Sequence, residues 1–453
     1  MPVALNVSGS SPEDIHSLPD ATPSVRPVSS TRWVVASSMI GSIVEWYDFY
    51  IYGTAAALVF GRAYFPASNP TLSTLAAFLT LAVGLFARPI GAAVFGHFGD
   101  RIGRKSMLML SLFMMGAPTA LIGLLPTYDS IGIAAPILLV ILRILQGLAI
   151  GGEWGGAVLL AVEHASGPRR ALFGSFPQMG IPGGVILSIG AFAIASLLPE
   201  EDFQTWGWRL PFLLSVILVL FGVVARRKVA ESPDFARARD LGRVRHAPVL
   251  AVLKETPKSL LLTIGIKVGE VTLFYSVTVF FLSYLTKLGI PRSTVLNLVL
   301  IGAAVAFAMM PIAGMIGDRV GPRPLYVFGS ALLAIVAIPM FMMLQTANLT
   351  LVAIATIVPI GLIFPLMLGP QAEMCAGQFP PELRFSGMSI GIGLASALAG
   401  GLAPVIATGL VAQWQSVIPV GAYLCFMGVV SCVSSFLMKK TSSTQSALLP
   451  PLD

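Results

Sequence analysis

Residues 96–105 read GHFGDRIGRK, a stretch that places three glycines, one acidic and three basic side chains between two apolar runs. A related stretch, IAGMIGDRVGPRP, occupies residues 312–324. Each of them lies between the second and third apolar runs of its half of the chain. Internal duplication of this kind is typical of membrane transporters. The sequence therefore predicts two related halves.

The composition indicates that most of the chain lies in a membrane. Of the 453 residues, 56% are hydrophobic and only 11% are charged, whereas a soluble domain is about one quarter charged. The mean hydropathy is +0.85. The apolar runs are continuous and approach the roughly 20 residues that one spanning helix requires, instead of alternating as in a transmembrane barrel. We expect an all-α membrane protein.

Twelve spanning helices are predicted, six in each half, which form two six-helix bundles. They are expected near 33–61, 72–97, 106–126, 134–163, 170–198, 208–226, 259–286, 293–316, 322–344, 348–374, 383–411 and 416–438. The predicted domains are a disordered cytoplasmic tail (1–32), an N-terminal bundle (33–226), a cytoplasmic connector (227–258), a C-terminal bundle (259–438) and a second cytoplasmic tail (439–453).

The basic residues are distributed unequally between the two sides of the membrane. Four lie in segments on one side, three lie within spans, and the remaining 21 of the 28 Lys and Arg lie on the side that holds both termini. The positive-inside rule therefore predicts cytoplasmic termini in a multi-pass protein of the cell inner membrane. This topology explains the net charge of +7 without nucleic acid as a partner.

The charged residues of the quoted stretch are candidates for a gate. Asp100, Arg101, Arg104 and Lys105 stand where charges of opposite sign can pair between helices and break as the helices move. Asp318 and Arg319 occupy the equivalent place in the second half. Pro322 and Pro324 interrupt that second copy. We therefore expect the charge pairs of the second half to be weaker, or to involve other partners, than those of the first half.

Span 1 carries two carboxylates within its apolar run. Glu45, Asp48 and Tyr52 are spaced so that all three line one helix face. Ionisable residues inside a membrane normally face a cavity and mark a substrate or ion pathway. Asp48 or Glu45 is therefore a candidate proton carrier, and a structural ion pair is the alternative.

Span 4 has a polar face formed by Arg143, Gln146, Glu153 and Trp154. Arg143 is a candidate clamp for a substrate carboxylate, or it forms a scaffold with an acid on a neighbouring helix. Trp154 stacks on a substrate ring or packs. We expect Arg88, in span 2, to support helix packing or the gate rather than to bind substrate.

Span 7 carries Lys267 and Glu270 three residues apart, followed by Tyr275. The two charges either neutralise each other or exchange partners, so that Lys267 binds an anionic substrate while Glu270 takes up a proton. The second arrangement would couple the two loads.

Several stretches together resemble the metabolite:proton symporter family of the major facilitator superfamily. They are GSIVEWYDFYIYG at 41–53, ARPIGAAVFGHFGDRIGRK at 87–105, RILQGLAIGGEWGGA at 143–157 and RFSGMSIGIG at 384–393. The resemblance implies alternating access and proton-coupled uptake of a small organic acid by a functional monomer. A shikimate-like acid is the first expectation, and 2-oxoglutarate, citrate, an aromatic acid or a zwitterionic osmolyte are alternatives.

Other classes of function find little support in the sequence. The G-x-S-x-G match at 387–391 lies within a predicted span, whereas a nucleophile requires a strand-to-helix turn. There is no nucleotide-binding G-x-x-x-x-G-K-[ST] loop. The three cysteines lie in or beside apolar runs and indicate neither disulfides nor zinc. No enzyme activity, cofactor or metal is expected, and a membrane sensor or enzyme remains the alternative of a different class.

Overall fold

The computed structural model describes residues 31–102, 104–151, 169–227 and 248–439, and these residues form helices and no strand. Eight of the described helices are long and apolar enough to cross a membrane, and three shorter apolar helices accompany them. With the first helix, the described residues contain twelve long helical segments, α1–α12. The predicted all-α membrane fold with twelve helices is confirmed.

The first half contains six long segments joined by short helices at Tyr128–Ile131, Glu200–Thr205 and Gly207–Arg209. The six segments are α1 (Thr31–Ala55, continued by a π-helical turn at Ala56–Phe60 and by Gly61–Tyr64), α2 (Pro70–Ile102), α3 (Arg104–Leu124), α4 (Ala134–Ile150), α5 (Arg170–Ala195) and α6 (Leu210–Arg227).

In the second half, a short helix at Pro248–Glu255 precedes six long segments among the described residues. They are α7 (Pro257–Lys287), α8 (Arg292–Val320), α9 (Pro322–Gln345), α10 (Leu349–Ala376), α11 (Pro381–Ala395, a π-helical turn at Ser396–Gly401, and Ala403–Trp414) and α12 (Ile418–Leu437). Helices α7 and α10 also contain π-helical turns, which in many proteins lie near functional sites.

The helices pack into two bundles that meet along several helix pairs. In the first bundle α1 packs on α5 and α6, and α2 packs on α4; in the second, α7 and α9 pack on α12, and α8 packs on α10. Across the boundary, α5 contacts α8 and α10, and α2 contacts α11. The π-helical turns of α1 and α7 also contact each other. The boundary between the bundles therefore passes beside α1, α2, α5, α7, α8, α10 and α11.

The quoted stretch is helical on both sides of one position, whereas the predicted spans end near residue 97 and begin again near residue 106. Helix α2 continues to Ile102 and α3 begins at Arg104, while position 103 lies outside the described residues. A helix continues past the hydrocarbon layer as long as its backbone bonds remain intact, so a change to charged side chains does not mark its end. The side chains of Asp100, Arg101, Arg104 and Lys105 lie outside the described part, and their gating role stays a prediction.

The second copy ends one helix and begins another. Gly321 has φ of +95°, a conformation that glycine adopts without strain. Pro322 then occupies the start of α9, where its missing N–H is not needed. The prolines that interrupt the motif in the sequence thus define a helix start.

A part of the predicted connector is also ordered. Its helix Pro248–Glu255 packs on α11 and buries Val252 completely. The rest of the connector, residues 228–247, and the predicted tails at 1–30 and 440–453 lie outside the described residues.

Candidate functional site

A cavity lies between the two bundles, near the middle of the helices that form it. The cavity has a volume of about 50 Å³, which is small beside the roughly 300–1,000 Å³ of sites that enclose whole ligands. Helices from both halves contribute to its wall, which is aromatic on one part and polar or charged on another. The aromatic side chains are Trp46, Tyr50, Phe274, Tyr275 and Phe364, and the polar ones are Arg88, Lys267, Glu270, Ser389 and Ser396.

Lys267 and Glu270 form an ion pair on α7, and Gln371 of α10 closes it into a ring. The ammonium of Lys267 donates to Oε1 of Gln371 over 2.9 Å, and Nε2 of Gln371 donates to Oε2 of Glu270 over 2.9 Å. All three side chains are buried. Each member of the ring therefore contacts the other two, as a buried ion pair requires to offset desolvation.

The α7 backbone beside this ring is held by α9 and α12. The hydroxyl of Ser431 donates to the carbonyls of Gly265 and Ile266 and accepts the N–H of Gly269 over 2.9 Å. The phenol of Tyr326 also donates to the carbonyl of Ile266. Hydroxyl contacts of this kind fix the rotation of α7, so the ion pair faces the cavity and α10.

Other titratable side chains surround the ring. Tyr50 of α1, Tyr326 of α9 and Cys375 of α10 lie close enough to interact with the charge of Glu270. None of these three groups carries a charge in its ordinary form at neutral pH. Lys267 is therefore the partner that balances Glu270 among the described residues of this cluster.

The structure buries the predicted face of α1. Asp48 and Tyr52 are fully buried and Glu45 is 4% exposed. Neither carboxyl oxygen of Asp48 has a hydrogen-bond partner within the described part of the chain. The phenol of Tyr52 donates to Oγ1 of Thr80 over 2.6 Å, so Tyr52 joins α1 to α2. Asp48 and Tyr52 are not among the described residues that line the cavity.

Arg143 is buried between aromatic rings. Its guanidinium carbon lies 4.5 Å from the ring centroid of Phe49 and 4.1 Å from that of Tyr52. Nη1 donates to Oε1 of Gln146 over 3.0 Å, and Gln146 in turn donates to Thr119 over 2.8 Å. Gln146 therefore orients Arg143. Neither residue is among the described residues that line the cavity, and Glu153 and Trp154 lie outside the described residues.

Gly84 of α2 lies against the side chain of Arg143 and, having no side chain, provides the space for it. A Cβ added at Gly84 would lie 2.5 Å from Nε of Arg143, which is closer than such atoms approach. A side chain at position 84 would therefore displace Arg143 from its place beside α2.

Arg88 packs against aromatic rings and also lines the cavity. Its guanidinium carbon lies 4.2 Å from the ring centroid of Phe49 and 5.5 Å from that of Trp46. The expected packing role agrees with these contacts, but the position on the cavity wall was not expected. Nε and Nη2 of Arg88 have no hydrogen-bond partner in the part of the chain that the structure describes.

Two sets of contacts join α5 and α8 at opposite ends. In the first, which we call the Asp318 clamp, Oδ1 and Oδ2 of Asp318 accept the N–H groups of Ala171 and Leu172 over 2.8 and 3.1 Å. These N–H groups belong to the first turn of α5, which has no helical partner for them. Asp318 therefore caps a helix of the other bundle, while Arg319 is exposed.

The second set, the Arg292 clamp, joins the start of α8 to the far end of α5. Arg292 forms an ion pair of 3.0 Å with Glu200 and donates to Oγ of Ser196 over 3.1 Å. Its guanidinium carbon also lies 3.7 Å from the ring centroid of Phe203. The α5–α8 pair is thus held at both ends by charged side chains.

Twelve helices in two bundles, with buried charges at a cavity between them, define a multi-pass membrane transporter. The chain belongs to the Major Facilitator Superfamily, whose family model matches residues 38–404. This confirms the resemblance that the motifs indicated.

The similar proteins are transporters of small molecules. The shikimate transporter of Escherichia coli strain K12 is 39% identical over 420 residues, which cover 91% of this chain and 95% of that protein. The inner membrane metabolite transport protein YhjE of the same strain is 40% identical over 422 residues, covering 92% and 96%. The proton:xylose symporter XylE, solved with 6-bromo-6-deoxy-D-glucose, has a TM-score of 0.72 at 17% identity and covers 91% of this chain and 97% of that one. The similarity to XylE shows the fold alone, because the sequence identity is 17%.

Proposed function

We propose that this transporter takes up a small organic acid together with protons by alternating access. A shikimate-like acid is the first candidate, because a shikimate transporter is similar over 91% of the chain. Di- and tricarboxylates such as 2-oxoglutarate or citrate, aromatic acids and zwitterionic osmolytes are the alternatives. The chain moves its substrate without transforming it and needs no cofactor.

The observation that carries this proposal is the buried Lys267–Glu270 pair at the cavity wall. A charged pair is expensive in a membrane and normally marks a substrate or proton pathway. Because the pair lines a cavity between the bundles, a ligand in that cavity reaches both charges. Tyr275 also lines the cavity, and this position supports its own role in substrate contact.

Transport of the proton is coupled to transport of the acid if the carboxylate of Glu270 controls the binding of both. Protonation of Glu270 removes its charge from Lys267 and leaves the ammonium available to an anionic substrate. Release of the proton on the other side restores the ion pair and expels the anion. Each load then favours the binding of the other, as a coupling free energy requires.

Asp48 is the second proton site in the proposal. Its carboxyl group is fully buried and its oxygens have no partner among the described residues. A carboxylate in such a place lacks the hydrogen bonds that offset the burial of charge, so a bound proton relieves that cost. Glu45 follows as the third candidate, and Arg143, Gln146, Tyr52, Glu153 and Trp154 support the substrate region.

The proposal includes the topology and the gates. Both termini and the connector at 227–258 lie on the cytoplasmic side of the inner membrane, as the charge distribution favours. The bundles comprise 33–226 and 259–438, and one chain forms the functional unit in the lipid bilayer. Asp100, Arg101, Arg104 and Lys105 act as a gate at the cytoplasmic side, with Asp318 and Arg319 in the other half.

Uptake into proteoliposomes under an imposed pH gradient tests the function. We expect accumulation of one acid from a panel of shikimate, 2-oxoglutarate, citrate, benzoate and betaine, and loss of that accumulation with a protonophore. A sodium gradient at equal pH serves as the control. Accumulation that follows sodium and ignores the pH gradient would overturn proton symport.

A further inference from the structure

We propose that Arg88 anchors the carboxylate of the transported acid, and that this acid is a cyclic monocarboxylate whose ring lies on an aromatic wall. The inference rests on the proposed function and names the substrate class and the residue that selects it. Arg143 also stacks on Phe49, but in this proposal it supports the substrate region and does not bind the carboxylate.

The first step is the position of the two arginines. Both guanidinium groups stack near Phe49, at 4.2 Å for Arg88 and 4.5 Å for Arg143. Only Arg88 is among the described residues that line the cavity. Of this pair, Arg88 is therefore the one that a ligand in the cavity reaches.

The second step is the free hydrogen-bonding capacity of Arg88. The residue is 6% exposed, and its Nε and Nη2 have no partner in the described part of the chain. The charge of Glu45 acts on Arg88, but Glu45 does not take these two donors. Nε and one terminal nitrogen form the fork that binds both oxygens of a carboxylate. A buried fork without an acceptor points to an anionic ligand.

The third step is the charge of the cavity wall. Its described charged residues are Arg88, Lys267 and Glu270. The last two neutralise each other in the ring with Gln371. Among the described residues that line the cavity, Arg88 is then the charge that no other lining residue balances, and Glu45, whose charge acts on Arg88, is not one of the lining residues. A ligand with a single carboxylate matches this wall.

The fourth step is the shape of the wall. Four rings from α1, α7 and α10 follow one another, with centroids 5.2 Å apart for Trp46 and Tyr50, 4.8 Å for Tyr50 and Phe274, and 5.2 Å for Phe274 and Phe364. Such a wall accommodates the flat apolar side of a ring. On α11, Ser389 and Ser396 line the same cavity, and the hydroxyl of Ser389 has no hydrogen-bond partner among the described residues. This hydroxyl suits a polar substituent on the ring.

The test compares an acid with its neutral ester on variants of the purified full-length protein. The probes are shikimate and methyl shikimate, and the measurement is the ratio of their dissociation constants in nanodiscs. A charged hydrogen-bonded pair contributes about 1.5–3 kcal/mol, so we expect the wild type to prefer the acid by about 10- to 100-fold. In Arg88→Gln the ratio should fall several-fold below the wild-type value, and the preference that remains is the contribution of Lys267 when Glu270 is protonated.

Two further arginine variants separate anchoring from packing. Arg143→Gln should weaken both ligands alike and keep the ratio, and Arg62→Gln, at an exposed position, should change neither constant. Arg88→Lys preserves the cation for packing but loses the fork, so its ratio should lie between those of wild type and Arg88→Gln. This variant also covers the case in which Arg88→Gln does not fold.

The results that overturn the inference are an unchanged ratio in both Arg88 variants, equal binding of acid and ester by the wild type, or loss of the ratio in Arg143→Gln. Uptake driven by a pH gradient is measured on the same preparations. If the ratio depends on Arg88 but the gradient drives no uptake, the proposed function fails while the anchor stands. If uptake occurs without any dependence on Arg88, the anchor fails and the function stands.

Discussion

The side-chain amide of Gln371 donates a hydrogen bond of 2.9 Å to Glu270, although 101 residues separate them in the chain. The same amide accepts from Lys267. One neutral side chain from α10 thus holds both members of the α7 ion pair. A change in how α10 packs on α7 would alter this contact, so the ring connects helix position to the charge state of the cavity.

Replacement of Gln371 tests this connection. In Gln371→Ala the ammonium and the carboxylate each lose a partner in a buried place, which should destabilise the protein by about 1–3 kcal/mol. We expect a lower midpoint of thermal unfolding and a shifted pH dependence of uptake. Gln345→Ala is the matched control, because Gln345 bonds to Ser416 at an exposed site. Equal midpoints for wild type and Gln371→Ala would contradict the bridging role.

Neutralising the ion pair distinguishes folding from coupling. Lys267→Met or Glu270→Gln alone leaves one buried charge without its counterion, a change of about 3–5 kcal/mol in buried pairs. The double variant removes both charges and should recover much of the yield of monodisperse protein. It should still fail to accumulate substrate under a pH gradient. Accumulation at the wild-type level by the double variant would exclude this pair from coupling.

Asp48→Asn removes an ionisable group that has no partner among the described residues. We expect normal insertion and thermal stability at least equal to that of the wild type, since no described hydrogen bond is lost. Exchange of labelled for unlabelled substrate should persist, while accumulation under a pH gradient should be lost. Asp129→Asn, at an exposed position, is the control. If accumulation is normal in both Asp48→Asn and Glu270→Gln, the proton site lies elsewhere.

Helical spacing predicted which residues share a helix face, whereas their roles in transport stay predictions. Glu45, Asp48 and Tyr52 lie within two turns of α1, and helical spacing alone places them together. The structure buries all three. Lys267 and Glu270 are likewise one turn apart and meet as the i, i+3 rule expects.

Contacts between distant helices were not predictable in this way. Gln371 is one polar residue in an apolar helix, and nothing local indicates that it faces Glu270. The choice between Arg88 and Arg143 depended on which guanidinium reaches the cavity, a matter of helix rotation that the apolar pattern of these buried spans leaves open. The helical course of residues 98–102 was also missed, because hydropathy marks where the membrane ends and not where a helix ends.

The two clamps of the α5–α8 pair predict opposite conformational effects. The Asp318 clamp lies at the end of α8 that is proposed to be cytoplasmic, and the Arg292 clamp lies at the other end. Asp318→Ala removes a helix cap, a change of about 0.5–2 kcal/mol. Arg292→Gln removes the ion pair with Glu200 and the ring contact with Phe203. Each variant should favour opening at its own end.

Side-specific labelling measures this shift. Ser389 lines the cavity, so Ser389→Cys in a background without Cys375, Cys425 and Cys432 reports access to it. An impermeant maleimide should label the Asp318→Ala protein faster from the cytoplasmic face and the Arg292→Gln protein faster from the outer face. For the cap, the free-energy change corresponds to about a 2- to 30-fold shift in the equilibrium. Glu201→Gln, next to the ion pair but exposed, should label like the parent. Faster labelling of both variants from the same face would show that the clamps do not act at opposite ends, because each would then release the same movement.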